Sequence, residues 1–344
     1  MALNLSYEPE AVVSTEGLTE DDWLDYRRRG IGGSDVAAVM GFSPFCTTRD
    51  LWYDKRGIRP AVEDQPNWVT LKIGHLLEPL VAEIFSAKTG YRTFQIHKMF
   101  RHPLFPWMQA DVDYFIETPD GRQGILECKT SNPNNREKWA DDSIPLNYEW
   151  QCRHYMAVMN LDFVWIACLF SNTDSDFVMR RIDRDLDIEA ELIAAEDDFW
   201  NGFVKAGIEP PYTEKGDMVL ESIRRHFGPS DPSAAPVSLS RTMQISLDTF
   251  LALREKKMEH DRLSKQIDGE MKKAIAPVLD DMGTAEKAVL ALPGAQYEVA
   301  YASKYRAGVS KENLERLRRD QPAVYDEYVT QSESRSATVR RKEA

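Results

Sequence analysis

Residues 108–130, MQADVDYFIETPDGRQGILECKT, constrain the chain more than any other segment, because they read as two strands joined by a tight reversal. In Thr118-Pro119-Asp120-Gly121, proline presets φ at the second turn position and glycine suits the fourth. A turn centred on Asp120 pairs residues equally distant from it, which sets Asp113 opposite Glu127. Facing Cβ atoms in an antiparallel pair lie ~4.5–5.5 Å apart, so two carboxylates there repel unless a cation lies between them. Strand alternation also puts Glu127 and Lys129 on one face, with Leu126, Cys128 and Thr130 on the other. One acid from each strand, with a lysine beside them, is a candidate metal site able to activate a bound water. The alternative is a solvated hairpin on which Glu127 and Lys129 merely pair. Apolar residues on both faces, Ile125 on the acidic side and Leu126 and Cys128 on the other, mark a buried strand instead. Buried carboxylates need partners.

Around this hairpin, helix-like and strand-like segments alternate from about residue 19 to 212. Thr19 can cap a helix through Arg29, and Ser34 can cap one that ends near Gly41. A longer amphipathic helix is expected over 69–88, stopped by Gly90, with further helices at 146–160 and 186–206. Strands are expected at 93–100, 108–117, 124–130, 162–170 and 176–183. This order predicts an α/β domain with helices packed on a central sheet. Residues 229–240, GPSDPSAAPVSL, disfavour regular structure. The expected division is a domain over 1–212 with its core at 19–212, a linker over 213–243, and a C-terminal helix-plus-hairpin region over 244–344.

In that last region Ser246 can cap a long helix that Pro277 would end. Its apolar stripe of Leu247, Phe250, Leu253, Leu263, Ile267 and Met271 is interrupted by Lys257, His260 and Ser264, which leaves a coiled coil and a docked helix both open. A β-hairpin about Pro293-Gly294 and a short helix over 310–319 follow. The tail, with Arg335, Arg340, Arg341 and Lys342, reads equally as solvated charge or as a DNA contact.

The 344 residues hold 43 Lys and Arg against 56 Asp and Glu, a formal charge of −13. Such a chain has no diffuse positive field, so a polyanion partner needs a local basic site or metal ions that offset carboxylates. With 42% hydrophobic residues, disorder throughout is excluded. The start, MALNLSYEPEAVV, lacks the basic-then-apolar pattern of a leader, and the longest apolar run, Phe163 to Phe170, is too short to cross a bilayer. A cytoplasmic protein with no membrane partner is expected. Cys46, Cys128, Cys152 and Cys168 form no C-x-x-C pair and the six histidines show no metal-ligand spacing, so neither zinc nor an iron–sulfur cluster is expected.

Four blocks in order carry a family resemblance: RRRGIGGSDVAAVMGFSPF at 27–45, GHLLEPLVAEIFSAKTG at 74–90, ADVDYF with ILECKTS at 110–131, and PLNYEWQCRHYMAVM at 145–159. An acid, a variable loop and E-x-K on an adjoining strand resemble the PD-(D/E)XK nucleases. The ordered set resembles the YqaJ-type branch of the lambda exonuclease family of phage recombination nucleases. The resemblance spans 27–159, and the segments to about 212 also fit. It implies a restriction-endonuclease-like mixed central sheet flanked by helices. It also implies a metal-dependent exonuclease acting 5′→3′ on linear double-stranded DNA ends, leaving 3′ overhangs for homologous recombination. The alternatives are a nuclease of other polarity and a non-catalytic DNA-end-binding scaffold, against which the intact Asp113, Glu127 and Lys129 speak.

Residue by residue, the resemblance implies that Asp113, Glu127, Lys129 and Gln151 are catalytic, and that Asp113, Glu127, Glu78 and the carbonyl of Cys128 hold Mg²⁺ or Mn²⁺. Asp111 is a competing acid two positions earlier; Asp113 aligns with the family acid and faces Glu127. Read alone, Glu78 is an ordinary exposed helix glutamate. Arg27 and Ser34 match the family pair that holds a DNA 5′-phosphate. Gly30, Gly32 and Gly33 allow close backbone approach there, and a helix N-terminus at Ser34 favours an anion, although a plain capped helix is the alternative. Gln151, Tyr148 and Tyr155 share a helix face. Tyr155 reads as packing or as a strand contact, and Arg28 and Arg29 as backbone-phosphate contacts or solvated charge. A ring-like homo-oligomer, commonly a trimer, and a single-strand annealing protein as partner come from the resemblance alone.

Overall fold

The computed structural model describes residues 3–62, 68–305 and 308–330. Two compact units divide the chain, Met1–Pro232 and Ser233–Ala344. The first begins with β1 (Glu10–Ser14), α1 (Glu20–Arg28), β2 (Ile31–Gly32), α2 (Val36–Val39), α3 (Thr48–Lys55) and α4 (Trp68–Thr89). Five strands follow: β3 (Arg92–Phe94), β4 (Lys98–Arg101), β5 (Met108–Ala110), β6 (Tyr114–Glu117) and β7 (Gln123–Thr130). Helix α5 (Leu146–Met159) leads to β8 (Phe163–Leu169), β9 (Phe177–Asp183), α6 (Leu186–Asp197) and α7 (Gly216–Phe227).

A five-stranded sheet runs β3-β6-β7-β8-β9, with β7 and β8 parallel and the other pairs antiparallel. The parallel pair requires a crossover, and α5 supplies it. Alternation along β7 divides the core into two layers. Ile125 joins Met156, Ala157, Val164 and Ile166 on the α5 side, whereas Leu126 joins Val81, Ala82, Phe85 and Phe163 on the α4 side. Glu127 therefore emerges towards α5 and Cys128 towards α4, as period-2 geometry requires. This mixed sheet between helices is the arrangement expected of a restriction-endonuclease-like domain. A second sheet, β1-β4-β5-β2, lies in the same unit.

The hairpin register follows the turn. Tyr114 pairs with Leu126, Phe115 with Ile125, Ile116 with Gly124 and Glu117 with Gln123. Asp113 sits one residue beyond the last pair, at the position that continues towards Glu127.

Several expected elements differ. The single strands expected over 93–100 and 108–117 are each broken in two, with β3 and β6 in one sheet and β4 and β5 in the other. The interruptions, 95–97 and 111–113, line the cavity described below, so each break turns polar side chains into it. Ser34 does not cap a helix: it lies inside a 3-10 turn, Gly33–Asp35, and α2 starts at Val36 without a side-chain cap. The helix expected over 186–206 changes at Asp198 to a π-helical stretch through Lys205, which carries Phe199, Trp200 and Val204 into a cluster with Leu51 and Trp52. The expected linker over 213–243 contains α7, whose buried Ser222 donates to Asp50 at 2.8 Å while Arg225 pairs with the same carboxylate at 3.0 Å.

In the second unit, α8 (Gln244–Met282) starts before Ser246 and continues through Pro277. Proline cannot give an amide to the Lys273 carbonyl; that turn is exposed, so water can take its place. Strands β10 (Lys287–Leu292) and β11 (Ala295–Ala300) pair about Pro293-Gly294. Ser310 accepts from the Asn313 amide at 3.2 Å to cap α9 (Lys311–Asp320), and α10 (Pro322–Tyr328) follows. The tail arginines and Lys342 lie outside the described residues. No helix among the described residues is long and apolar enough to cross a membrane.

Gly124 tests the packing that fixes β7. A Cβ there would lie 2.4 Å from the Phe163 ring, whose Cα strand is the neighbour of β7. Gly124→Ala is expected to lower unfolding free energy by about 1–3 kcal/mol through overpacking, read by urea denaturation. Unchanged stability would remove that constraint.

Candidate active site

Strand β7 delivers Glu127 into the space beneath α5, where its side chain is 1% exposed. Lys129, two residues on and therefore on the same face, brings Nζ within 2.5 Å of Glu127 Oε1. Gln151, on the inner face of α5, ties the two together: Nε2 donates to Glu127 Oε1 at 2.6 Å, and Oε1 accepts from Lys129 Nζ at 3.2 Å. The same Nε2 donates to the Tyr155 hydroxyl at 3.2 Å, and Lys129 Nζ stands 5.0 Å from the centre of the Tyr148 ring. Spacing of three and four residues on α5 thus puts Tyr148, Gln151 and Tyr155 around one ion pair.

Asp113 Oδ2 accepts from the Cys128 amide at 2.8 Å, which fixes the carboxylate against β7. Burial, and after it the Glu127 charge, hold its pKa well above the ordinary carboxylate value. Burial and the Glu127 charge also raise Glu78, which is on α4 one turn after exposed His75. For Lys129, burial alone would lower the pKa, but the Glu127 and Asp113 carboxylates outweigh it and raise the value. Lys129 is therefore an ammonium, a donor rather than a base. Asp111 turns elsewhere: its Oδ2 accepts from Trp23 Nε1 at 2.8 Å, and burial raises its pKa. Of the two competing acids, Asp113 is the one in the field of Glu127 and Lys129.

A cavity of about 300 Å³ gathers Arg27, Ser34, Glu78, Asp111, Asp113, Gln151 and Tyr155 in its walls. Arg27 Nη2 donates to Ser34 Oγ and to Asp35 Oδ1, each at 2.7 Å, and the guanidinium lies 4.9 Å from the Trp23 ring centre. Gly33 makes this wall possible: a Cβ would meet Tyr155 Cε1 at 2.5 Å. Tyr155 is only 5% exposed, packs under that glycine and reaches the cavity wall. Arg28 and Arg29 lie outside the cavity. Arg28 pairs with Asp25 at 3.0 Å and Asp54 at 3.3 Å, and exposed Arg29 lies over Tyr26.

Three carboxylates, Glu78, Asp113 and Glu127, face one ammonium, and Glu127 Oε2 is buried without a hydrogen-bond partner. An orphaned carboxylate oxygen beside two acids, Glu78 and Asp113, whose pKa values burial and then the Glu127 charge raise, is the environment a divalent cation would relieve. All the donors are oxygens, which suits a hard cation. Among the described residues, no three His, Cys, Asp or Glu side chains are drawn closely enough together to hold a metal ion; Lys129 lies against Glu127 Oε1.

Sequence reasoning missed Trp23, Asp35 and Lys55. Asp35 directly follows Ser34, and its adjacency to a glycine turn was a usable signal; the partners of Trp23 and Lys55 come from distant segments. Burial would raise the Asp35 pKa, but Lys55 and Arg27 outweigh it and lower the value. Since the folded pKa lies below the unfolded value of about 3.9, this stabilisation is present above about pH 4 and is lost as pH falls through the folded pKa. Asp35→Asn should therefore narrow the difference in urea stability between pH 7 and pH 3. A difference as large as that of the parent protein would overturn the assignment.

Residues 22–162 match the YqaJ-like viral recombinase domain. The chain is similar to the uncharacterised protein YqaJ of Bacillus subtilis (strain 168), 29% identical over 269 residues that cover 78% of this chain and 82% of YqaJ. The crystal structure of an alkaline exonuclease, LHK-Exo from Laribacter hongkongensis, overlaps 55% of this chain and 94% of its own at a TM-score of 0.45 and 20% identity. A phage related exonuclease from Haemophilus somnus 129PT overlaps 54% and 99% at a TM-score of 0.35 and 13% identity. The segment that supplies Arg27, Ser34, Glu78, Asp113, Glu127, Lys129 and Gln151 thus lies wholly within the match to the YqaJ-like viral recombinase domain.

Proposed function

We propose that this chain is a divalent-metal-dependent deoxyribonuclease that degrades linear duplex DNA from its 5′ ends and leaves 3′ single strands for phage-type homologous recombination. The observation that carries this reading is the bridge made by Gln151 between buried Glu127 and Lys129, at the wall of a cavity that Gln151, Asp113, Glu78, Arg27 and Ser34 line. Mg²⁺ or Mn²⁺ held by Asp113, Glu127, Glu78 and the Cys128 carbonyl would supply polarisation of the phosphate and a more acidic bound water.

The residues of the chain do the rest. Gln151 holds the Glu127 carboxylate and the Lys129 ammonium in fixed relation, so neither reorganises as charge develops. Lys129, kept protonated by its acidic neighbours, donates to an oxygen of the attacked phosphate. Tyr148 shields one side of the ammonium, and the Cys128 amide orients Asp113. Arg27 and Ser34 seat the terminal 5′-phosphate that each cut regenerates, which gives a reason for stepping from that end. Cations confined to this cavity let a chain of charge −13 engage DNA at an end without coating it. A homo-oligomer, commonly a trimer in the family, and a single-strand annealing partner belong to the same reading.

Purified protein should degrade linear duplex with Mg²⁺ and not with EDTA, releasing a 5′ label before a 3′ label. Glu127→Gln and Lys129→Ala should each lower the rate by roughly 10²-fold or more while the thermal melt stays cooperative. Full activity in either variant would sink the site. Arg27→Ala should slow degradation of 5′-phosphorylated ends more than that of unphosphorylated ends; an equal loss on both would remove the phosphate role.

A further inference from the structure

Lys55 ends α3 with its side chain 1% exposed, a place where an unpaired ammonium would be costly. Its Nζ donates to Asp35 Oδ2 at 2.6 Å and to the Arg27 carbonyl at 3.0 Å. Asp35 accepts from Arg27 Nη2 through Oδ1 at 2.7 Å, and from the Gly32 amide through Oδ2 at 2.9 Å. One carboxylate thereby orients the arginine and closes the glycine turn that carries Ser34.

A carboxylate beside a phosphate-binding arginine has an electrostatic drawback. Alone, it would cancel the guanidinium charge and repel the phosphate. Lys55 changes the balance, because Asp35 then meets two cations; the other acid near Lys55, Asp54 at 3.9 Å, is half-exposed and is shared with Arg28 at 3.3 Å. The group that can present positive charge to the cavity is Arg27, whose side chain is 24% exposed, against 11% for Asp35 and 1% for Lys55. Arg27, Gly32 and Ser34 line the cavity; Asp35 and Lys55 stand behind them.

We propose that Lys55 is the residue that determines selectivity for a terminal phosphate: it neutralises Asp35, so that Asp35 positions Arg27 and the Gly32 turn without consuming the charge that Arg27 and Ser34 offer. Lys55 is a positioning residue, since it hydrogen-bonds Asp35 and the Arg27 carbonyl and lies near Asp54, and it does not line the cavity. The proposal rests on the phosphate seat described above and adds the partner on which its selectivity depends.

Binding without cleavage separates the two. Full-length protein in EDTA is titrated into fluorescent duplex bearing either a 5′-phosphate or a 5′-hydroxyl, and the ratio of the two Kd values is read by anisotropy. Lys55→Met leaves Asp35 to claim Arg27 and should reduce that ratio by about tenfold or more, the order of a charge-assisted hydrogen bond. The double variant Lys55→Met with Asp35→Asn removes both buried charges, and its new amide oxygen can still accept from Arg27, so the ratio should return to within about threefold of the parent. A purely structural role for Lys55 predicts no such recovery. If Lys55→Met alone loses its cooperative melt, Asp35→Asn and the double variant decide: both should keep the phosphate preference, because neither holds an uncompensated carboxylate. A parent protein without any preference would refute the phosphate seat itself. A parent preference that Lys55→Met retains, or that the double variant fails to recover, would refute the role of Lys55 alone.

Discussion

A carboxylate buried on a central strand governs the architecture of the cavity. Glu127 is 1% exposed between β6 and β8, where an ionised group left alone would be strongly destabilising. It is tolerated because β7 supplies Lys129 on the same face and α5 supplies Gln151 from above. Those two partners impose requirements outward. Gln151 needs α5 to cross the sheet at this height, which the parallel β7–β8 pair ensures. Tyr155 must support Gln151, and residue 33 must lack a Cβ for Tyr155 to fit. The acid that a buried site requires thus fixes a helix, a glycine turn and the arginine beside that turn.

The same logic operates twice. Around Glu127 the acids exceed the cation, leaving an oxygen without a partner and carboxyls whose pKa values are raised. Around Asp35 two cations meet the acid, and its pKa is lowered. One cavity is therefore bordered by a carboxylate cluster short of positive charge and by a carboxylate that two cations share. Such a pairing suits a ligand that brings phosphate to one side and needs a divalent cation at the other. It also shows why a net charge of −13 says little about the cavity: the sum over 344 residues hides how charges pair around it.

Sequence alone determined the strand alternation that sends Glu127 and Lys129 to one face, the turn about Asp120 and the register it sets, and the helical spacing that aligns Tyr148, Gln151 and Tyr155. These depend on local geometry, with periods of two and 3.6 residues and a proline-glycine turn, and local geometry is written in adjacent residues. The breaks at 95–97 and 111–113 were not legible, because an apolar-polar alternation looks the same whether a strand continues or passes to another sheet. Nor was the π-helical continuation at Asp198, which answers to packing against Leu51 and Trp52. Tertiary structure alone decided that Asp111 turns to Trp23 while Asp113 turns to β7, that Arg28 pairs with Asp25 and Asp54 outside the cavity, and that Lys55 lies behind Asp35. The reason is physical: a buried charge takes whichever counter-charge or donor the packing brings within about 3 Å, and that partner can come from any distance along the chain.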